Sequence, residues 1–382
     1  MAVSTMAKKV KKTSPGQRRS SGNKKARFKL ATLLKWVGGV TAILSLIFGL
    51  HEITQLVSDI RERERRVEEL YKTGKLQQGT ADYKGAWDSY EQAVKVAESG
   101  GQLAKLTGQL SKERRELREA QEDLAMEWLE NVSTSKGQTF SDIMEGLLPV
   151  LARGVSSASG FRKADILAHL GWAFFLRLRD GQVGLDLEKQ YREALKIDPV
   201  NPYAHAYLGH WQLWRGQRLE TAKQHFSAAI SSGRARSYVR RIQLAAFKNM
   251  NSEQGDGEFL AVVNEMRKNK ERIESQTRND VYNIYYFAFS GTRDDRFQNL
   301  LIAVPPIEQV ITFQALFYVE DFGKERRLNR DAYLAILLEA AGRREEALQT
   351  WLALRKKISG ERWRLNDRAD SAIKRLSKPP KG

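Results

Sequence analysis

Cysteine is absent from this chain of 382 residues, and proline is scarce, with 8 residues. The absence of thiols excludes a disulfide framework, a cysteine-ligated zinc ion, an iron–sulfur cluster and a cysteine nucleophile. Hydrophobic residues nevertheless make up 41% of the chain and charged residues 29%. This balance excludes both a wholly disordered chain and a membrane protein with many spans.

Motifs for catalysis, nucleotide binding and metal binding are also missing. No P-loop, no Gly-x-Gly-x-x-Gly and no Gly-x-Ser-x-Gly sequence occurs. The five histidines form no His-x-x-x-His pair, and His205 and His210 would lie about 140° apart around a helix. We therefore expect neither an enzyme nor a metal or cofactor site. An enzyme with an unrecognised site in residues 236–328 is the alternative.

The positive charge of the chain is confined to its two ends. The formal net charge is +18, and residues 1–35 hold 11 Lys and Arg without an acid, while residues 355–382 hold 10 against 3 acids. The rest of the chain carries equal numbers of acidic and basic residues. A body that wraps a phosphate backbone usually has basic stripes of its own, so we do not expect a nucleic-acid partner.

An apolar stretch follows the basic start of the chain. Residues 30–50 contain one charged side chain, Lys35. As a helix this stretch would be roughly 31 Å long, about the thickness of the hydrocarbon core of a bilayer. No small-residue cleavage site follows it, as a signal peptide would require. The sequence therefore predicts a transmembrane helix over 30–50, preceded by a disordered basic tail over 1–29.

Charge asymmetry predicts the orientation of this helix. Ten Lys and Arg precede it, whereas four follow in the next 20 residues. Because cytoplasmic flanks carry the excess of Lys and Arg, we expect a cytoplasmic N-terminus and an extracytoplasmic C-terminal part, which is periplasmic if the cell is bacterial. A polybasic run beside a span also gains from anionic lipid, so residues 8–35 are expected to contact lipid headgroups.

A heptad pattern continues from the predicted span into residues 51–75, which we interpret as a helical stalk. One face has mostly small residues within the span and large aliphatic residues after it, with Arg63 as the exception. Small residues allow close approach in lipid, and aliphatic heptads associate in water. Packing of residues 53–70 on the following domain is the alternative. The pattern predicts self-association into a homo-oligomer through Gly39, Ala42, Leu46, Gly49, Ile53, Leu56, Ile60, Val67 and Leu70.

Helical periodicity dominates from about residue 66 onward, and similar segments recur about every 34 residues. Two adjacent segments have a Leu-Gly pair in a first helix and aromatic and alanine residues at helical spacing in a second. These residues are Leu170-Gly171, Tyr191, Ala194 and Pro199, and then Leu208-Gly209, Ala222, Phe226 and Ala229. Two further segments share parts of the pattern, at Gly74, Ala86, Tyr90 and Ala93, and at Gly342, Ala347 and Trp351.

This pattern resembles the tetratricopeptide repeat (TPR). The resemblance implies an all-α solenoid of helical hairpins, in which Gly and Ala let two helices approach while the aromatic residue fills the gap to the next hairpin. Residues 108–160 and 235–328 depart from the pattern. We therefore divide the chain after the stalk into a divergent TPR-like segment over 76–160, repeats over 161–235, a divergent helical region over 236–328, a TPR-like unit over 329–360 and a basic tail over 361–382.

Repeat arrays of this kind bind extended peptides on their surface. The sequence analysis therefore predicts a membrane-anchored scaffold that binds a partner protein or peptide. A regulatory or sensor subunit that signals a bound ligand through the stalk is the alternative. Core packing is the competing interpretation for most members of the candidate partner-binding cluster, which is Trp172, Tyr203, Tyr207, Trp211 and Trp214.

Residues 299–319 form a second apolar stretch. Pro305, Pro306 and Glu308 interrupt it. Because a spanning helix must satisfy its backbone internally over about 20 residues, we do not expect a second membrane span here.

Overall fold

A computed structural model describes residues 24–99, 109–134, 136–216, 218–290, 294–318, 323–358 and 366–379. This part of the chain contains sixteen α-helices and no strand, which confirms the predicted all-α class. It divides into two compact units, Met1–Leu117 and Arg118–Gly382. Most of the predicted basic tail, residues 1–23, lies outside the described residues.

Three helices come first among the described residues, and thirteen follow. The first three are α1 (Lys24–Gly79), α2 (Tyr83–Glu98) and α3 (Gln109–Glu130). Next come α4 (Phe140–Ser157), α5 (Gly160–Arg179), α6 (Leu187–Ile197), α7 (Pro202–Trp214), α8 (Leu219–Ser231), α9 (Arg236–Asn249) and α10 (Glu253–Lys268). The last six are α11 (Ser275–Ser290), α12 (Asp294–Ala303), α13 (Pro306–Phe317), α14 (Lys324–Ala340), α15 (Arg344–Lys357) and α16 (Asn366–Leu376).

The 56 residues of α1 contain both the predicted span and the predicted stalk. The last turns of this helix pack on α2, where a Cβ on Gly74 would lie 2.5 Å from Cε1 of Tyr90. Asp82 begins α2 by accepting a hydrogen bond from the N–H of Gly85 at 3.0 Å, as an N-cap does. The stalk and the first hairpin therefore share one helix.

A test of length and hydropathy over the described residues finds no single helix that qualifies as a membrane span. One pair of helices qualifies together, Phe297–Ala303 with Pro306–Phe317, but the two are bent by 95°. The membrane span over 30–50 stays a prediction.

Consecutive helical hairpins build the second unit. α5 packs against α6 and α7 against α8, and the first helices of successive hairpins also pack on each other, α5 on α7 and α7 on α9. A Cβ on Gly171 would lie 2.5 Å from Cε1 of Tyr191, and a Cβ on Gly209 would lie 3.0 Å from Cζ of Phe226. Both glycines therefore lie where two helices cross closely, as their place in the sequence pattern predicts.

The region over 236–328 contains α9 to α13. Gly255 and Gly257 lie inside α10, which begins where the Ser252 hydroxyl accepts a hydrogen bond from the N–H of Gly255 at 3.1 Å. A Cβ on Gly255 would lie 2.5 Å from the carbonyl oxygen of Phe247. The close passage of α9 therefore leaves room for no side chain larger than that of glycine at this position.

The C-terminal end of the chain also differs from a solvated basic tail. α14 and α15 form a hairpin, and α16 packs on α15. Ala369, Ala372 and Leu376 are buried on one face of α16, while its charged residues occupy the other face. Because the apolar residues are small and few, the high charge of this segment hides its amphipathic pattern.

Candidate functional site

The aromatic residues predicted to bind a partner lie on α5 and α7, and two of them belong to the core. Trp172 is 8% exposed and Tyr207 is fully buried. Their rings stack with centroids 4.7 Å apart, because α5 and α7 are the first helices of adjacent hairpins and pack on each other. Trp172 and Tyr207 therefore present almost no surface to a partner, and the core interpretation applies to them.

The other aromatic residues of this group reach the surface, Tyr203 at the start of α7 and Trp211 and Trp214 near its end. The side chain of Trp214 is 49% exposed, and Trp211 and Tyr203 are partly exposed. The Trp214 ring lies edge-on to Phe175, with centroids 5.2 Å apart, and parallel to His210, with centroids 6.5 Å apart. One face of an anchored indole is thus open to solvent, which is the arrangement of a residue that contacts a partner.

A cavity of about 220 Å³ adjoins Trp214. It is smaller than the roughly 300–1,000 Å³ of small-molecule sites, so it suits a single inserted side chain. Helices α7 and α9 form its walls. Its lining combines apolar side chains with two polar ones, and consists of His210, Leu213, Trp214, Ala246, Asn249 and Met250.

His210 gives this cavity its polar character. The imidazole is 4% exposed, and its Nδ1 has no hydrogen-bond partner among the described residues. Burial, with a smaller contribution from the positive charge of Arg179, lowers the pKa of His210 to about 4. The ring is therefore neutral at pH 7, and it offers either one donor or one acceptor at Nδ1. The indole Nε1 of Trp211 is likewise buried without a described partner.

The structure also pairs two histidines that the sequence spacing did not connect. Nδ1 of His205 on α7 lies 3.0 Å from Nδ1 of His225 on α8, and Nε2 of His205 lies 3.0 Å from the carbonyl oxygen of Pro199. Burial and the neighbouring His205 lower the pKa of His225. The pair lies across a hairpin, 20 residues apart in sequence, so a search at helical spacing misses it.

A larger cleft of about 550 Å³ lies between α8, α9 and α10. The Arg240 guanidinium at its base is 2% exposed and donates hydrogen bonds to Glu265, Glu271 and Gln243. Burial alone would raise the pKa of Glu271. Hydrogen bonds from Arg240 and Arg236 outweigh this effect and lower that pKa. The ion pairs of Arg240 link α9 to α10 and the residues that follow it. Because the protein's own carboxylates already pair with this guanidinium, the cleft is not a free anion site.

The predicted self-association face of α1 is divided between two environments. Val67 is buried against Ala93, Ala97 and Leu117, and Leu70 packs against the same cluster. Ile53 and Leu56 are 57% and 38% exposed, and Gly49 and Ile60 are partly exposed. Packing on the following hairpin therefore accounts for the end of the face, while its middle is open. Three members have side chains outside the described part of the structure, namely Gly39, Ala42 and Leu46.

Nowhere in the described part of the chain do three His, Asp or Glu side chains converge closely enough to hold a metal ion. Comparisons of the chain with protein-family models and with curated proteins give no significant match.

Proposed function

We propose that this chain is a membrane-anchored scaffold of TPR-like hairpins that holds a partner protein or peptide. The observation that carries the proposal is the small cavity between α7 and α9, beside the half-exposed indole of Trp214. A partner side chain inserted there would bury apolar surface against Trp214 and meet a hydrogen-bonding group at His210. Few-residue anchors of this kind supply most of the affinity of protein interfaces.

A recurring contact supports the TPR-like description. A helix glycine lies under the buried aromatic ring of the next helix in three hairpins, with pairs Gly74–Tyr90, Gly171–Tyr191 and Gly209–Phe226. The same contact at three places indicates one repeated supersecondary unit. It argues for repeats and does not identify a partner, since such repeats bind many unrelated proteins.

The continuity of α1 favours the second candidate function, a sensor or regulatory subunit. The helix runs without a break from residues 30–50 into the first hairpin. If the span is in the membrane, a change in that hairpin would be transmitted along one rigid element rather than through a loose linker.

Affinity purification from detergent-solubilised membranes tests the scaffold. We expect one protein to co-purify at a fixed ratio with the parent chain and to be lost with Trp214→Asp. Leu352→Asp is the matched control, because Leu352 is similarly exposed, at 43%, and lies on α15. Loss of the same protein from both variants, or from neither, would argue against the cavity as the binding site.

Cysteine labelling tests the predicted membrane orientation. The chain has no native cysteine, and Val183 is 85% exposed, so Val183→Cys supplies one accessible thiol. A membrane-impermeant maleimide should label it in intact cells. Labelling that requires lysis would place the hairpins in the cytoplasm and reverse the orientation.

A further inference from the structure

An exposed apolar corner lies at the bend between α12 and α13. The α12–α13 corner consists of Ile302, Ala303, Pro305, Ile307 and Ile311, all exposed. Ile302 is 82% exposed, and Ile307 and Ile311 are 42% and 40% exposed. Four of these residues surround the 95° bend, and Ile311 follows Ile307 by one turn of α13. The corner therefore places five exposed apolar residues within ten positions of the chain, and exposed apolar patches mark interaction sites.

The segment that forms this corner carries little charge of its own, and the half-exposed Lys268 of α10 lies beside it. Glu308 is the one charged residue between Phe297 and Tyr318. Its carboxylate accepts a hydrogen bond from Arg267 at 3.0 Å and lies 3.3 Å from Nζ of Lys268, both on α10. The exposed side chains of this segment are all uncharged, in a chain where 29% of residues are charged.

One buried side chain, Gln309, satisfies two backbone carbonyls at the corner. Gln309 is 1% exposed, and its Nε2 donates to the carbonyl oxygens of Leu300 and Val304, both at 2.8 Å. The same side chain accepts a hydrogen bond from the Tyr285 hydroxyl at 2.9 Å. Carbonyls at the end of a helix otherwise need water or a cap. Because Gln309 supplies the partner, the corner can enter an apolar medium without leaving these acceptors unpaired.

We propose that the α12–α13 corner inserts shallowly into the surface of a lipid bilayer. Together the two helices have the length and hydropathy of a membrane span, but their 95° bend and the buried inner face at Val310 and Phe313 prevent them from crossing. An apolar segment that is held to one side of a bilayer in this way lies in the interface.

The composition of the corner favours lipid over a protein partner. Its isoleucine, alanine and proline side chains offer bulk without the Trp and Arg that dominate protein hot spots. The predicted anchor over 30–50 would also keep the corner near a membrane, where the effective concentration of the bilayer is high even for a weak contact. This second contact goes beyond the scaffold function and would restrict how the hairpins move above the membrane.

Single-cysteine labelling of the full chain in vesicles tests the proposal. The chain is reconstituted with phosphatidylcholine and phosphatidylglycerol, and an environment-sensitive fluorophore is attached at Ile302→Cys or Ile307→Cys. The matched controls are Val183→Cys and Leu352→Cys, which are 85% and 43% exposed. We expect a blue shift and quenching by spin-labelled lipid at the two corner positions and neither effect at the controls.

Several outcomes would overturn the proposal. Quenching at Ile302 and Ile307 that does not exceed that of the controls rules out insertion. A blue shift that is present without lipid and resists the lipid quencher shows a protein contact instead. The double variant Ile302→Glu/Ile307→Glu, with helix content checked by circular dichroism, should abolish quenching at Ile311→Cys. A label at Leu46→Cys reports on the anchor separately, so that failure of the anchor and failure of the corner give different patterns.

Discussion

Replacing Gly171 by alanine tests the close crossing of α5 and α6. A Cβ at this position would lie 2.5 Å from Cε1 of Tyr191 and 3.1 Å from the carbonyl oxygen of Leu187. The Tyr191 ring is 1% exposed and packs against Tyr207, with centroids 5.8 Å apart. Because the ring has no free space to turn into, the added methyl group must push the two helices apart.

The size of the effect follows from two opposing contributions. Overpacking a core site costs about 1–3 kcal/mol, and replacing a helix glycine by alanine returns about 0.5–1 kcal/mol. We therefore expect Gly171→Ala to lower the free energy of unfolding by about 1–2 kcal/mol. Gly209→Ala should cost less, because its Cβ would lie 3.0 Å from Phe226. Gly79→Ala is the control, since nothing lies within 4 Å of its Cβ.

Denaturant titration of the solubilised chain, followed by tryptophan fluorescence, measures this order. Gly171→Ala should be the least stable, Gly209→Ala intermediate, and Gly79→Ala as stable as the parent or up to about 1 kcal/mol more stable. Adding Tyr191→Leu to Gly171→Ala should make the two changes less than additive, because the smaller side chain relieves the contact. Equal midpoints for Gly171→Ala and Gly79→Ala would refute the close crossing.

Lowering the pH from 6.5 towards 4 should reduce the free energy of unfolding by up to roughly 3 kcal/mol through His210. Over this range the imidazole gains a proton in the unfolded chain, whereas the buried imidazole, with a pKa of about 4, does not. The denaturation midpoint of His210→Phe should therefore depend less steeply on pH than that of the parent. An equally steep dependence would contradict the role of His210. Glu271→Gln should cost about 3 kcal/mol at pH 7, since it breaks a buried pair. The extra stability of the parent over Glu271→Gln is fully present above the ordinary carboxyl pKa, and it should be lost as the pH falls through the lowered pKa of Glu271. Equal loss of stability in acid for both chains would argue against the pair. Single cysteines replacing Ile53 or Leu56 should form disulfides between copies in membranes, whereas one replacing the buried Val67 should not, and equal yields at all three would exclude this interface.

The hairpins around Gly171 and Gly209 could be predicted from the sequence because the residues that contact each other are close together in the chain. Each glycine and its aromatic partner lie within one pair of helices, so the spacing alone connects them. α16 could not be predicted in the same way. Its buried face consists of two alanines and a leucine among charged residues, and the net charge of the segment is the stronger signal.

The candidate site was predicted only in part, because exposure depends on the neighbouring hairpin. The sequence placed Trp172 and Trp214 in one aromatic group but could not tell the buried ring from the half-exposed one. Trp172 is covered by α7, whereas Trp214 lies beside α9, where the repeat pattern is weak. His205 and His225 were missed for a related reason, since their contact crosses from one helix of a hairpin to the other.

Site-specific photo-crosslinking in intact membranes tests most directly whether a partner is held at the cavity between α7 and α9. A photoreactive residue replaces Trp214, and the same residue at Leu352, a similarly exposed apolar position, is the control. The account predicts that one protein is crosslinked from position 214 and not from 352, and that Met250→Glu, which places a charge in the cavity, abolishes the product. Equal crosslinking from both positions, or none from either, would contradict the proposed scaffold site.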